Sequence, residues 1–219
     1  MDVVVKIGGR LGHGDRLVPL CARVAELGGH HRLLVVPGGG VFAAAVRECD
    51  ARLRLRASTA HWMAVLAMDQ YGHLLSDLIP RSVAVPTLAA AEDVAAAGRV
   101  PVLLPYDLMR RLDILPHSWL VTSDSIAAWV TGLIAAPLLV LLKERFGLHS
   151  PAAGRAAPLR GAVTLDQLAA WEGVDDHLAT IAGAADYDLW VLDGEEPAHL
   201  VELLEKGSTD GVSLTRAGL

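Results

Sequence analysis

Residues 3–7, Val-Val-Val-Lys-Ile, run straight into Gly8 and Gly9, and residues 33–37, Leu-Leu-Val-Val-Pro, run into Gly38, Gly39 and Gly40. A short, almost wholly apolar run of this kind reads as a strand buried on both faces. A glycine turn at its end lets backbone N–H groups approach a ligand with no Cβ in the way. The helix that follows adds unpaired N–H donors and a positive dipole end, so the turn is a cradle for an anion. Two such turns, at the carboxyl ends of neighbouring strands, hold two anionic groups face to face.

The remaining chain alternates strand and helix. Leu17, Leu20, Cys21, Val24 and Leu27 recur at helical spacing, and Gly28-Gly29 ends that helix. A helix over 41–49 follows the second glycine turn. A long helix opens at Ser58 or Thr59, carries His61, Trp62, Met63, Leu66, Met68, Tyr71 and Leu75, and closes at Pro80. Strands are predicted at 83–85, 100–104, 118–121, 138–142 and 189–192. Pro101 puts the second of these at a sheet edge or a strand start. Helices are predicted at 88–97, 107–113, from Thr122-Ser123-Asp124-Ser125 to about Ala135, near 164–172 and 175–184, and at 197–204. Residues 10–14 read as a polar loop, 144–161 as a long surface loop and the C-terminus as a polar tail. Arg52, Arg54 and Arg56 alternate with Leu53 and Leu55. That stretch is either an edge strand or solvated loop, or a wall of positive charge beside a phosphate site. The alternation as a whole predicts an α/β fold, a mostly parallel sheet with helices on both faces.

Composition narrows the partners. A chain of 219 residues with 53% apolar and 20% charged residues buries one sizeable core, and one domain is expected over 1–219. The net charge of −6 and the lack of a basic run argue against nucleic acid and acidic membrane surfaces. Cys21 and Cys49 lack metal or disulfide-framework spacing and read as reduced thiols of a cytoplasmic protein. Only three apolar residues lie between Asp2 and Lys6, which does not read as a signal peptide. Residues 126–142 carry no charge, but Gly132 and Pro137 divide them into a helix and a strand rather than a membrane span. The apolar helix near 58–80 suggests a homodimer or higher homo-oligomer.

The chemistry is read partly by exclusion. G-x-x-x-x-G-K-[ST], H-E-x-x-H, G-x-S-x-G and paired Cys-x-x-C patterns do not occur. Gly38 to Ala43 fits a loose dinucleotide fingerprint, yet no acidic residue stands at 58–64, where that reading needs one. Lysine use is more telling. Only Lys6, Lys143 and Lys206 occur among 19 Lys and Arg, and two of them sit at or near the ends of very apolar strands. A lysine there loses hydration unless it meets an anion. Lys6 reads as a point charge on a transferring phosphoryl group or as a paired lysine, and Lys143 either joins it or marks a strand's exposed end. Asp124, in a first helical turn with Ser123 and Ser125, is either a plain cap or the acid that orients the lysines. His61 is either a satisfied core histidine or a contact for a substrate phosphate.

Lys6-Ile7-Gly8-Gly9, Pro37-Gly38-Gly39-Gly40 and Ser123-Asp124-Ser125-Ile126-Ala127-Ala128, in this order and spacing, resemble the amino acid kinase family over most of the chain. Residues 61–64 and 67–72 look most like the branch that phosphorylates an (aminomethyl)furanmethyl phosphate on the route to methanofuran-type cofactors in one-carbon metabolism. The resemblance implies a three-layer αβα sandwich that transfers the γ-phosphoryl of ATP, with Mg²⁺, to a phosphate or carboxylate acceptor. It implies an acceptor half over about 1–120 and a nucleotide half over about 121–219. Lys6, Gly8, Gly9, Ser123 and Lys143 would meet the nucleotide phosphates. Gly38, Gly39, Gly40 and His61 would hold a small phosphate substrate, and Asp124 would organise the site; no protein ligand set for a metal is expected. Arg10 stands where relatives carry a small hydroxyl residue, and 143–148 replaces their usual nucleotide loop. The alternative is a nucleotide- or anion-binding relative without catalysis.

Overall fold

The computed structural model describes residues 1–144, 161–171 and 173–214. β1 (Val3–Ile7), β2 (Leu33–Pro37), β3 (Ser82–Val85), β4 (Val100–Leu103), β5 (Leu138–Lys143), β6 (Gly161–Val163), β7 (Asp188–Asp193) and β8 (Val212–Leu214) form one sheet. Its order is β3-β4-β2-β1-β5-β7-β8-β6. The pairings from β3 through β7 are parallel, β8 runs antiparallel to β7, and β6 pairs parallel to β8.

The pleat sorts side chains between two cores, because successive strand residues face opposite ways. Val4, Leu34, Val36, Leu139 and Leu141 pack on one side, against α6 (Ser123–Leu133) and part of α3 (Ala57–Leu78). Val3, Val5, Ile7, Leu33, Val35, Val140 and Leu142 pack on the other, against α1 (Leu17–Leu27) and α9 (Ala198–Lys206). The layering is the expected helix–sheet–helix sandwich.

β1 pairs with β2 on one side and β5 on the other; the chain goes from β1 toward β2 and from β5 toward the β7 side, so connections leave these neighbouring strands in opposite directions. Such a switch point opens a crevice beyond the strand ends. The glycine turns occupy it. Gly38 N donates to Ile7 O at 2.9 Å and Gly8 N to Leu142 O at 2.9 Å. A Cβ on Gly9 would lie 2.1 Å from Gly40 N, and one on Gly38 would lie 2.4 Å from Gly9 N. Only residues without a Cβ let the two turns touch.

Several expectations give way to the structure. Residues 118–121 are turns and bends, not a strand; the apolar Trp119-Leu120-Val121 belongs to an irregular strap whose Trp119 is anchored from elsewhere. The arginine-rich stretch is not a strand. α2 (Gly40–Leu53) takes its first part, Arg54-Leu55-Arg56 is the short loop also expected, with Arg54 at φ +54°, and α3 begins at Ala57 with neither Ser58 nor Thr59 as its cap. Residues 9–13 form a 3-10 turn. Pro101 is inside a strand flanked by β3 and β2, but the β4–β2 ladder is a single pair, Val35 with Val102. The C-terminal stretch supplies β8, which with β6 completes the sheet; three-residue strands are too short for alternation to register. Most of the expected 144–161 loop lies outside the described residues.

Leu139 is fully buried in the strand beside β1. Leu139→Ala is expected to lower unfolding free energy by about 2–5 kcal/mol in urea titration; a loss below about 1 kcal/mol would contradict this packing.

Candidate active site

Strand parity sets the first two charges. Lys6 points to the same face as Val4, and Lys143 to the same face as Leu139 and Leu141. In the β1–β5 register Lys6 lies opposite Leu141, so Lys143 sits two residues nearer the crevice on the neighbouring strand. The amino end of α6 covers that face and brings Asp124 between them. Lys6 Nζ lies 2.7 Å from Asp124 Oδ1, and Lys143 Nζ donates to Asp124 Oδ2. The Lys6, Asp124 and Lys143 side chains are 4%, 3% and 13% exposed.

Two ammoniums and one carboxylate leave a buried surplus of positive charge. Burial alone would raise the Asp124 pKa, but Lys143 and Lys6 outweigh it and hold it down at about 2. Burial drives Lys143 down from 10.5 to about 8; Asp124 opposes that shift and the like charge of Lys6 adds to it. An anion arriving here relieves both lysines.

The cluster opens into a cavity of about 1260 Å³, which also takes in Gly8, Gly9, Gly39 and Gly40. Gly38, although expected in the site, is not among the lining residues; its contact with Gly9 lets the others approach. Ser123 lines the wall. His61 is 6% exposed, and its Nε2 is buried without a hydrogen-bond partner among the described residues. Burial lowers its pKa to about 4, with His117 adding to the shift and Asp113 opposing it. His61 is therefore a neutral imidazole, stacked on His117 at 4.5 Å and 17°. His117 Nε2 shares a 2.7 Å hydrogen bond with Asp113 Oδ1.

Sequence reading missed several neighbours. Arg47 lies over the Trp119 ring at 4.1 Å, and Trp119 Nε1 donates to Asp50 Oδ2 at 2.7 Å. Burial and the charge of Arg10 both push the Arg47 guanidinium below its ordinary value. Arg10 and Arg47 line the same cavity, and no ion pair joins either to a carboxylate among the described residues. Asp175 was missed too, since its partners lie about 50 residues away; its signal, an acidic residue just before a helix, points only to that helix.

The sequence pattern of the amino acid kinase family matches residues 1–180. A curated relative, (5-(aminomethyl)furan-3-yl)methyl phosphate kinase of Methanocaldococcus jannaschii, is 24% identical over 202 residues, spanning 92% of each chain. Uridylate kinase from Archaeoglobus fulgidus superposes with a TM-score of 0.76 at 17% identity, over 98% of this chain and 100% of that one. An isopentenyl phosphate kinase in a substrate complex gives 0.62 at 18% identity, over 97% and 100%. The structural likenesses speak for a shared fold.

Charge accounting yields a stability contrast. The depressed Lys143 pKa means its charge costs stability below about pH 8, a cost that fades as pH rises toward 10.5. Lys143→Met removes that cost and leaves Lys6 paired. Asp124→Asn leaves two buried ammoniums without the carboxylate that bridges them. In denaturant titrations at pH 7, Asp124→Asn is expected to lose about 3–5 kcal/mol, while Lys143→Met stays at or above wild type. The opposite order would refute the charge assignment.

Proposed function

We propose that this chain, which belongs to the amino acid kinase family and is with it a phosphotransferase, moves the γ-phosphoryl of ATP to the phosphate of a small phosphate monoester. The observation that carries the reading is the pair of buried lysines on one carboxylate beside two backbone cradles. Phosphoryl transfer asks a protein mainly to align two anions and to offset charge developing between them. In this reading Lys6 and Lys143, beside the Cβ-free turn at Gly8 and Gly9, receive the nucleotide phosphates, and Asp124 holds the lysines in register. Ser123 and residues 173–176, which line the cavity, belong to the nucleotide half, about 121–219.

The acceptor lies toward Gly39 and Gly40, in the half formed by about residues 1–120. Two guanidiniums without carboxylate partners among the described residues, Arg10 and Arg47, favour a dianionic phosphate over a singly charged carboxylate there. His61, neutral, contributes its unpartnered Nε2 to an acceptor oxygen. A furan-methyl phosphate, the substrate class of the Methanocaldococcus jannaschii relative, suits the ring-lined wall of His61, His117 and Trp119. The methanofuran-type route follows from the same likeness. A soluble cytoplasmic enzyme acting as a homo-oligomer completes the reading; Leu66 and Leu74 expose apolar surface on α3, and no described helix is long and apolar enough to cross a membrane.

Among the described residues no group of three or more His, Cys, Asp or Glu is placed to hold a metal ion. Both Asp124 oxygens face lysines. The described residues thus offer no cage for Mg²⁺, and an ion accompanying ATP would ride on the nucleotide's own oxygens.

ADP release, followed with furan phosphates, isoprenoid phosphates, UMP and amino acids as acceptors, tests the function. Turnover is expected with a phosphate monoester, and Lys6→Ala is expected to lose on the order of 10²–10³ of it while staying folded. ATP binding without ADP release on any acceptor would instead leave a non-catalytic nucleotide-binding relative. A pH profile adds a second check. kcat/KM reports the free enzyme, so it is expected to fall above about pH 8 as Lys143 deprotonates. Lys143→Arg, always charged, is expected to abolish that alkaline limb. A limb unchanged in Lys143→Arg would remove Lys143 from the site.

A further inference from the structure

Asp124 has a competing use that the fold takes away from it. A carboxylate in the first turn of a helix ordinarily turns back to the unpaired N–H groups there. In α6 two of those donors, the Thr122 and Ser125 amides, already have an acceptor. Asp175, 9% exposed, takes hydrogen bonds from Thr122 N at 2.9 Å, Thr122 Oγ1 at 2.8 Å, Ser125 N at 2.9 Å and Ser125 Oγ. The same carboxylate accepts from His177 N at 3.2 Å and Leu178 N at 2.9 Å, at the head of α8 (Leu178–Ala184). Six donors from two segments about 50 residues apart in sequence therefore converge on one side chain. By contrast, the local cap, Thr122 Oγ1, is 3.5 Å from Asp124 N.

We propose that Asp175 is a positioning residue for phosphoryl transfer: it caps α6 from the segment just before α8, which frees Asp124 to bridge Lys6 and Lys143. The inference deepens the kinase reading and rests on it for its effect on rate. Its logic is a division of labour between two acids. Both Asp124 oxygens are taken by lysines, Oδ1 by Lys6 and Oδ2 by Lys143, so the amide groups at the head of α6 need another acceptor. Asp175 takes the backbone, and Asp124 takes the lysines. Thr122, Ser123 and Asp124, together with Val174, Asp175 and Asp176, line the cavity. The latch therefore ties the wall beside the lysines to the segment that reaches the site from the late part of the chain.

Asp175 acts on Lys143 through charge as well as position. Asp124 and Asp175 both favour its ammonium form, and Lys6 opposes it. Lys143 is also followed in sequence by Glu144 and faces Asp193 in the β5–β7 register; Asp193 Oδ1 is engaged with Glu195 N at 2.9 Å. Asp176 shares the cavity wall. Replacing Asp175 by a neutral amide thus lowers the Lys143 pKa, whereas a purely structural residue would move only the melting temperature.

Three lysines make the readout direct: protein labelled with ¹³C at lysine Cε gives resonances for Lys6, Lys143 and Lys206 alone. In Asp175→Asn the Lys143 titration is expected to shift to lower pH, and Asp175→Glu, which keeps the charge, is expected to return it toward wild type. In ADP-release assays kcat of Asp175→Asn is expected to fall on the order of 10- to 100-fold, through misplacement of the lysine cluster. Ser125→Ala, which deletes one donor and no charge, keeps the test open if Asp175→Asn does not fold; it is expected to lose roughly 3- to 10-fold in kcat with an unmoved Lys143 titration. An unmoved Lys143 titration in folded Asp175→Asn overturns the proposal, as does wild-type kcat in Ser125→Ala. If wild-type protein turns over no acceptor, the kinase reading fails, and the titration of Lys143 still decides whether Asp175 acts on the cluster.

Discussion

One carboxylate between two buried ammoniums sets the terms for the rest of the molecule. Removing three ionised groups from water is costly, and Coulomb attraction repays it only when geometry is close and each group is matched. Here Asp124 matches two lysines at once, and the cluster still carries an excess positive charge. A fold that keeps such an excess under cover is poised for an anion. Strand parity turns Lys6 and Lys143 to one face, the β1–β5 register staggers them, and the amino end of α6 delivers the acid that links them.

The glycine turns answer a different constraint, that of space. β1 and β2 end so close together that a methyl group on Gly9 or Gly38 would overlap the neighbouring backbone. What remains at the crevice is main chain, and Gly40 meets its φ of +54° at the start of α2. Charge from side chains and donors from backbone thus converge on one cavity without competing for volume. Across it lies a more mixed wall, with Arg47 stacked on Trp119 and His61 on His117.

Most of this frame was legible in the sequence because it lives in local patterns. Apolar runs ending in glycine gave away β1 and β2, and a lysine inside such a run is conspicuous in a chain so poor in lysine. Asp124 was visible as a first-turn acid, but its two possible jobs were indistinguishable until Asp175 proved to hold the amides. Long-range partners leave no local trace, so Asp175, the Trp119–Asp50 bond and the Arg10–Arg47 pair were hidden. The strand expected at 118–121 failed for a related reason: Trp119-Leu120-Val121 is apolar because Trp119 is tied down over the cavity, not because it joins the sheet. The arginines at 52–56 alternate by coincidence with a helix end and a left-handed turn at Arg54.

The account stands on Lys6 and Lys143 meeting the same phosphoryl group while Asp124 holds them. A crystal structure with a non-hydrolysable ATP analogue and a phosphate monoester tests that most directly. The terminal phosphoryl oxygens are expected within hydrogen-bonding distance of both Nζ atoms, with the acceptor phosphate at Gly39 and Gly40. A terminal phosphate seated away from both lysines, with the Asp124 bridge merely closed beneath it, would contradict the account.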